Sequence, residues 1–295
     1  MSTAETWTVG RLLTWTADYL KKQNFASPRL EAELLLAEVC HCERIGLYTR
    51  YEEVIDEATR AQFRELVKKR AAGAPVAYLL GRKEFYSLSF KVTPAVLIPR
   101  PETEFAVIAA LDRLKERPAT APPPRVVDVG TGSGCIILTL AKHVPAALLT
   151  AIDISPAALE IARENATSLG LADRIIWLES DLLEQVPAEP QFDLIVSNPP
   201  YVSEPEFAEL SPAVRDQEPY QALVGGQQGT EVIARLIPQA AARLVSGGWL
   251  IVEFSPMIAH AVCDLLAADG HWETPVITKD LAGLARIVQV KRVAI

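Results

Sequence analysis

From Arg125 onward the chain alternates short apolar runs with segments of helical period, and this alternation restricts the fold more than any other feature of the sequence. Strands are read over residues 125–129, 148–154, 174–178, 192–197, 249–254, 274–277 and 285–290. Helices over 135–142, 156–169, 229–244 and 258–268 fall between them. Such an order builds a mainly parallel sheet with helices on both faces, an α/β fold, and those sheets bind ligands outside the carboxyl ends of the strands. The strand ends are therefore where chemistry is expected.

The first part of the chain follows a different rule. Val9, Leu12, Leu13 and Leu20 share one helical face, and Ser27-Pro28 ahead of Leu30, Leu34 and Leu35 is a cap followed by proline at the first helical position. A third helix, about 56 to 70, carries Phe63, Leu66 and Val67 on one side and stops before Gly73-Ala74-Pro75. A small all-α domain is expected over 1–83. From Glu84 the period becomes two: Phe85, Leu88, Phe90 and Val92 precede Thr93-Pro94-Ala95 and then Val96-Leu97-Ile98, which predicts a β-hairpin linker over 84–99. The α/β domain then occupies 100–295, entered through a helix over 102–116 and Pro122-Pro123-Pro124.

Two cores suit the length of 295 residues, and 49% hydrophobic with 22% charged residues is the balance of an ordinary globular protein. A net charge of -8 without a long Lys/Arg run argues against a nucleic-acid substrate. No stretch approaches ~18 uninterrupted apolar residues, so no membrane association is expected. The segment MSTAETWTVG has neither a basic leader nor an apolar signal core, and a cytoplasmic location is expected. Cys40, Cys42, Cys135 and Cys263 are too scattered for a disulfide framework. Cys40-His41-Cys42 lacks a second Cys/His pair at ligand spacing, so no metal site is expected.

The first α/β strand ends in Asp128-Val129-Gly130-Thr131-Gly132-Ser133-Gly134 and leads directly into a helix. Glycines there let the backbone turn tightly and approach a ligand beside free helix N–H groups. A dinucleotide fingerprint would require glycine where Cys135 stands. The spacing from Gly130 through Thr131, Gly132 and Ser133 to Gly134 suits a ligand without a pyrophosphate, such as S-adenosylmethionine. Asp153 closes the second strand about 20 residues on, where a carboxylate can accept both ribose hydroxyls. Asp181 follows the third strand, placed to accept from the adenine amino group, with Leu182 as an apolar wall.

The fourth strand runs into Asn198-Pro199-Pro200-Tyr201. An amide or exocyclic amine is a poor nucleophile because its lone pair is delocalised, so a catalyst must hold its N–H bonds and turn the lone pair toward a sulfonium methyl. Asn198 can accept one N–H through its side-chain oxygen and the Pro199 carbonyl can accept the other. Consecutive prolines restrict φ and hold both acceptors before the acceptor substrate arrives. Tyr201 is expected to stack on the planar acceptor group.

These residues, with Gly81-Arg82-Lys83-Glu84-Phe85-Tyr86 and the run from Val96 through Ile98-Pro99-Arg100-Pro101-Glu102-Thr103 to Glu104, resemble the HemK/PrmC family of protein-(glutamine-N5) methyltransferases over nearly the whole chain. The resemblance implies a seven-stranded, Rossmann-like class I methyltransferase domain behind a helical domain and a hairpin. It implies cofactor contacts at Gly130 through Gly134, Asp153, Leu182 and Asn198, and a glutamine received by Asn198, Pro199, Pro200 and Tyr201. The donor would be S-adenosylmethionine, leaving S-adenosylhomocysteine, and the partner the Gly-Gly-Gln loop of peptide chain release factors. Relatives often carry an aromatic residue at the position of Leu182, and an acidic-glycine pattern where this chain has Glu253-Phe254-Ser255-Pro256. Alternative readings are glutamine methylation of a ribosomal protein, adenine-N6 methylation, for which a basic target-recognition region is missing, and a noncatalytic adaptor. Gly225-Gly226-Gln227 happens to spell the target tripeptide and is read as a loop ahead of a helix.

Overall fold

The structure, a computed structural model, describes residues 6–189 and 191–293. The chain separates into two compact units, one formed by residues up to Gly81 with Pro212–Gln217, the other by Arg82–Ser211 with Glu218 onward. The first unit is built on α1 (Val9–Lys22), α2 (Pro28–Val39), α3 (Arg44–Thr49), α4 (Glu57–Ala71) and α5 (Val76–Leu80). Local chemistry starts these helices: the Thr8 hydroxyl accepts from the Arg11 amide, Asp56 accepts from the Thr59 amide, and Pro28 occupies the first turn of α2. Leu13, Leu35, Leu36, Leu47 and Phe63 fill its core. The short helices α3 and α5 were not expected, because six or five residues show too little of a helical period to be read. On α2, Glu33 is buried yet charged: burial raises its pKa, and hydrogen bonds from Tyr48, Arg44 and Arg29 outweigh that and bring it below the ordinary value.

The second unit opens with a hairpin, β1 (Arg82–Phe85) against β2 (Leu88–Lys91). Its turn is Tyr86-Ser87, both at positive φ (49° and 60°), as a two-residue turn of matching twist requires. The expected turn at Thr93-Pro94-Ala95 is corrected accordingly. Residues 96–98 form no strand, because the Ile98 amide donates to the Glu218 carboxylate (3.1 Å) rather than to a ladder. The hairpin is fastened from outside: Asn165 accepts from the Lys91 amide (2.6 Å) and donates to the carbonyls of Lys91 (3.0 Å) and Ser133 (2.9 Å).

A 3-10 turn, Pro101–Thr103, then leads into α6 (Glu104–Lys115). There follow β3 (Arg125–Val129), α7 (Cys135–His143), β4 (Leu148–Asp153), α8 (Pro156–Ser168), β5 (Ile175–Glu179) and β6 (Phe192–Ser197). Beyond β6 come β7 (Val202–Ser203), α9 (Glu204–Glu209), α10 (Pro212–Arg215) of the first unit, α11 (Tyr220–Leu223) and β8 (Val224–Gly226). The chain ends through α12 (Glu231–Arg243), β9 (Leu244–Glu253), α13 (Ala259–Asp269), β10 (Val276–Lys279) and β11 (Ala285–Lys291).

The main sheet has seven strands in the order β10-β11-β9-β6-β3-β4-β5. All neighbours from β9 to β5 are parallel, and β11 is antiparallel to both β9 and β10. Apolar side chains cover both faces, Ile137 and Leu140 on one, Ile233, Leu236 and Ile237 on the other, which is why the central strands are continuously apolar rather than alternating. The chain leaves β3 toward β4 and β5 on one side and returns to β6 on the other. The loops after β3 and β6 therefore diverge from neighbouring strand ends, and that divergence opens the crevice. Among the described residues no helix is long and apolar enough to cross a membrane.

Candidate active site

The loop after β3 is shaped by three glycines at positive φ: Gly130 (74°), Gly132 (56°) and Gly134 (81°). The amides of Gly130 and Thr131 both donate to the Ile152 carbonyl at 2.8 Å, so the loop is tied to β4 before any ligand is considered. Beneath it, Asp128 is fully buried and accepts from the Thr131 hydroxyl (2.7 Å), while burial pushes its pKa up to about 7. A Cβ on Gly132 would meet nothing within 4 Å, so this stretch of backbone faces open space. Gly134 differs: a Cβ there would lie 3.0 Å from Leu138 and 3.3 Å from Ala162. Its place is the tight start of α7, and it does not line the cavity.

Asp153, at the tip of β4, takes the Gly132 amide on one oxygen (2.8 Å) and the Ser155 amide on the other (2.9 Å). Burial raises its pKa against those two donors. Each oxygen keeps a lone pair, so the carboxylate can still accept from a ligand diol. Past β5, Asp181 pairs with Arg235 (2.6 Å), and Leu182 adopts a left-handed backbone (φ 51°), uncommon for a branched apolar residue. These groups line a cavity of about 350 Å³ with the glycine loop, Ile154, Asn198, Pro199 and Pro200.

The loop after β6 forms the other wall. The Ser197 hydroxyl donates to the Val129 carbonyl (2.7 Å), which joins the two loops at their roots. Asn198 lines the cavity and donates through Nδ2 to the Thr103 hydroxyl at 3.1 Å. Among the described residues none donates to Asn198 Oδ1 or to the Pro199 carbonyl, so both acceptors of the proposed grip are available. Tyr201 is placed differently from expectation: it is absent from the cavity wall, its ring packs against the core of the α12 face, and its hydroxyl donates to Glu253 (3.3 Å). Burial there raises the phenol's pKa. The expected stacking on an acceptor group is not the arrangement found.

Several residues of the site carried no expectation of their own. Thr103 and Arg100 line the cavity, and Glu218 holds Arg100 (2.6 Å) together with the Ile98 amide. The tripeptide Gly225-Gly226-Gln227 lies beside the Asn198 loop, through pairing of β8 with β7. A Cβ on Gly225 would stand 2.5 Å from the Pro200 carbonyl oxygen, and one on Gly229 2.3 Å from that of Tyr201. These glycines are therefore the close backing of the loop, and the only sequence signal for them was their density just after it.

Comparison with known proteins adds to this geometry. The PrmC N-terminal domain family matches residues 11–81, and the methyltransferase small domain family matches residues 110–211. A protein of Rhodopirellula baltica, a release factor glutamine methyltransferase, is 49% identical over 286 residues, 97% of each chain. Another of the same description, from Koribacter versatilis, is 42% identical over 92% of this chain and 93% of its own. Among solved structures, the hMettl16 catalytic domain in complex with MAT2A 3'UTR hairpin 6 shares the fold, with a TM-score of 0.57 at 16% identity over 78% of this chain and 82% of that one.

Proposed function

The chain belongs to the release factor glutamine methyltransferases, and on that premise we propose that it methylates the side-chain amide nitrogen, N5, of the glutamine in the Gly-Gly-Gln loop of peptide chain release factors. It is an S-adenosylmethionine-dependent methyltransferase. The residues present suit that cofactor: a side-chain-free glycine turn, a carboxylate with spare lone pairs at the β4 tip, and apolar walls at Ile154 and Leu182. In this reading Gly130–Ser133 and Asp153 hold the cofactor's amino-acid and ribose parts, while Leu182 and Asp181 face the adenine.

S-adenosylmethionine supplies a methyl group on a positively charged sulfur. The chain's own part is to grip the amide. Asn198 Oδ1 accepts one N–H and the Pro199 carbonyl the other, which fixes the plane of the amide and aims the nitrogen's lone pair into the cavity. As positive charge grows on that nitrogen both hydrogen bonds strengthen, so stabilisation is concentrated in the transition state. The prolines keep the acceptors from reorganising. The observation that carries the reading is the pair of acceptors left without donors on the cavity wall.

The helical unit is assigned to docking the release factor, which is consistent with the PrmC N-terminal match and with its separate core. Such a substrate places the enzyme in the cytoplasm, with the free or ribosome-associated factor as partner and no nucleic-acid substrate. The test is incubation with methyl-labelled S-adenosylmethionine and purified release factor, beside a factor whose loop glutamine is replaced by alanine. Label is expected on the first only. Equal labelling of both would defeat the substrate assignment.

A further inference from the structure

The helical unit contains a groove that the methyl transfer leaves unused. α1 and α4 both pack on α2, and the seam between them stays open as a cavity of about 350 Å³. Trp7, Trp15 and Tyr19 line one part of it, Phe63 and Val67 another. The rings form a ladder: Trp15 stacks on Tyr19 with centroids 5.3 Å apart, and Trp7 meets Trp15 edge-on at 6.4 Å. Trp15 is nonetheless 51% exposed, so the ladder offers ring surface to solvent. Two polar atoms of residues bordering the groove are orphaned as well. Thr16 is wholly buried and its Oγ1 has no partner among the described residues. Arg60 Nε is buried and equally alone, while Nη2 of the same side chain goes to Glu57. Buried polar atoms are nearly always paired, so two orphans on one cavity mark contacts for a ligand to complete.

Charge narrows what that ligand is. Every charged residue lining the groove is basic: Arg60, Arg64 and Lys68, spaced by four along one face of α4. Their carboxylate partners, Glu57 and Glu65, do not line it, and with side chains 66% and 62% exposed those pairs are weak. An entering carboxylate can therefore take over the cations, and Arg60 Nε offers it a donor with no competitor. An extended polyanion such as RNA is disfavoured by the net charge of -8, whereas a short acidic stretch meets only the local cations. We propose that this groove docks a segment of the release factor in which an apolar side chain is flanked by acidic ones, separate from the glutamine loop. The proposal rests on the release factor being the substrate, and gives the docking role of the helical unit a place and a chemistry.

The two kinds of contact do different work. Rings that bury an apolar side chain hold the partner and slow its release, whereas the cations steer its approach and make binding sensitive to salt. A second point of attachment turns capture of the glutamine loop into an intramolecular event at raised effective concentration. Contacts so far from the reacting atoms are the same in the ground and transition states, so they lower KM and leave kcat alone.

The test is steady-state methylation of whole release factor by the full-length enzyme at saturating cofactor. Trp15→Ala is expected to raise KM for the factor by about tenfold or more, with kcat and the calorimetric affinity for cofactor within about twofold of wild type. The double variant Arg64→Glu with Lys68→Glu changes only exposed side chains and so keeps the fold. It should raise KM comparably and flatten the climb of wild-type KM with salt. Thr16→Val should raise the melting temperature of the free enzyme by removing an orphan hydroxyl, and raise KM as well, a combination that a purely structural threonine cannot give. A KM within about twofold of wild type for both Trp15→Ala and the double variant overturns the docking site. So does a wild-type dimer in sedimentation that Trp15→Ala dissociates without a change in KM, since a second copy would then be the occupant. If the wild-type enzyme places no label on the factor, the substrate assignment itself has failed; normal labelling with unmoved KM in the variants removes the groove alone.

Discussion

Asn198 does its work as a neutral acceptor, and that makes the cost of losing it calculable. Removing one preorganised transition-state partner costs about 100-fold or more in rate, so Asn198→Ala is expected to lose at least ~100-fold in kcat with cofactor affinity nearly unchanged, as measured by steady-state kinetics and calorimetry. At this scale the sequence was legible wherever a residue type answers a local demand. Glycines at 130 and 132 answer a positive φ, and Asp153 and Asn198 close strands whose ends were already drawn. Tyr201 was misjudged because adjacency in sequence says nothing about which way a ring turns; a buried partner, Glu253, draws its hydroxyl inward. Thr103 could not be read as part of the site, since the residue it meets, Asn198, lies 95 positions further along the chain.

Among elements, the small parallel pair β7 and β8 decides the shape of the catalytic loop, although neither strand exceeds three residues. Gly225 sits where its missing Cβ leaves room for the Pro200 carbonyl. Because the obstacle at 2.5 Å is backbone, Gly225→Ala cannot be absorbed by a rotamer change. It is expected to destabilise the fold by roughly 1–3 kcal/mol, as overpacking does. Activity should fall further than the unfolded fraction explains, because the displaced carbonyl adjoins Pro199. Thermal melts beside kcat at a temperature where the variant is folded would check both. The long helices and the central strands were legible from periodicity, whereas pieces such as α3, α5, β7 and α9 to α11 were not, being shorter than the period that would reveal them. The hairpin was foreseen and its turn was not: Tyr86-Ser87 carries no glycine or asparagine to announce a left-handed turn.

For the molecule as a whole, the core of the helical unit shares no residue with the two that flank the sheet, which implies two roles that can be taken apart. A chain lacking residues 1–81 should bind S-adenosylmethionine about as tightly as the full enzyme and fail to methylate whole release factor. Unchanged methylation in that assay would reject the docking role. Acid–base behaviour is also a property of the whole fold. Asp128 and Glu253 both have pKa values pushed up to about 7 by burial. The native state keeps their protons where the unfolded chain, titrating near ~4, has released them. Their contribution to stability is therefore full below about pH 4 and is lost as pH rises through about 7. The melting temperature of Glu253→Gln, relative to wild type, should accordingly increase between about pH 5 and about pH 8 in scanning calorimetry.

The sequence by itself determined what depends on neighbours along the chain: the alternation that commits the second unit to a mainly parallel sheet, the helical first unit, the glycine turn and the asparagine-proline corner. Only tertiary structure decided which of these meet, because a strand order with β3 between β6 and β4 is a property of packed sheets rather than of any local run. It also decided which polar groups are stripped of water. Burial, not residue type, lifts the Glu253 carboxyl to about neutrality. Contact between distant segments, not spacing, puts Thr103 against Asn198.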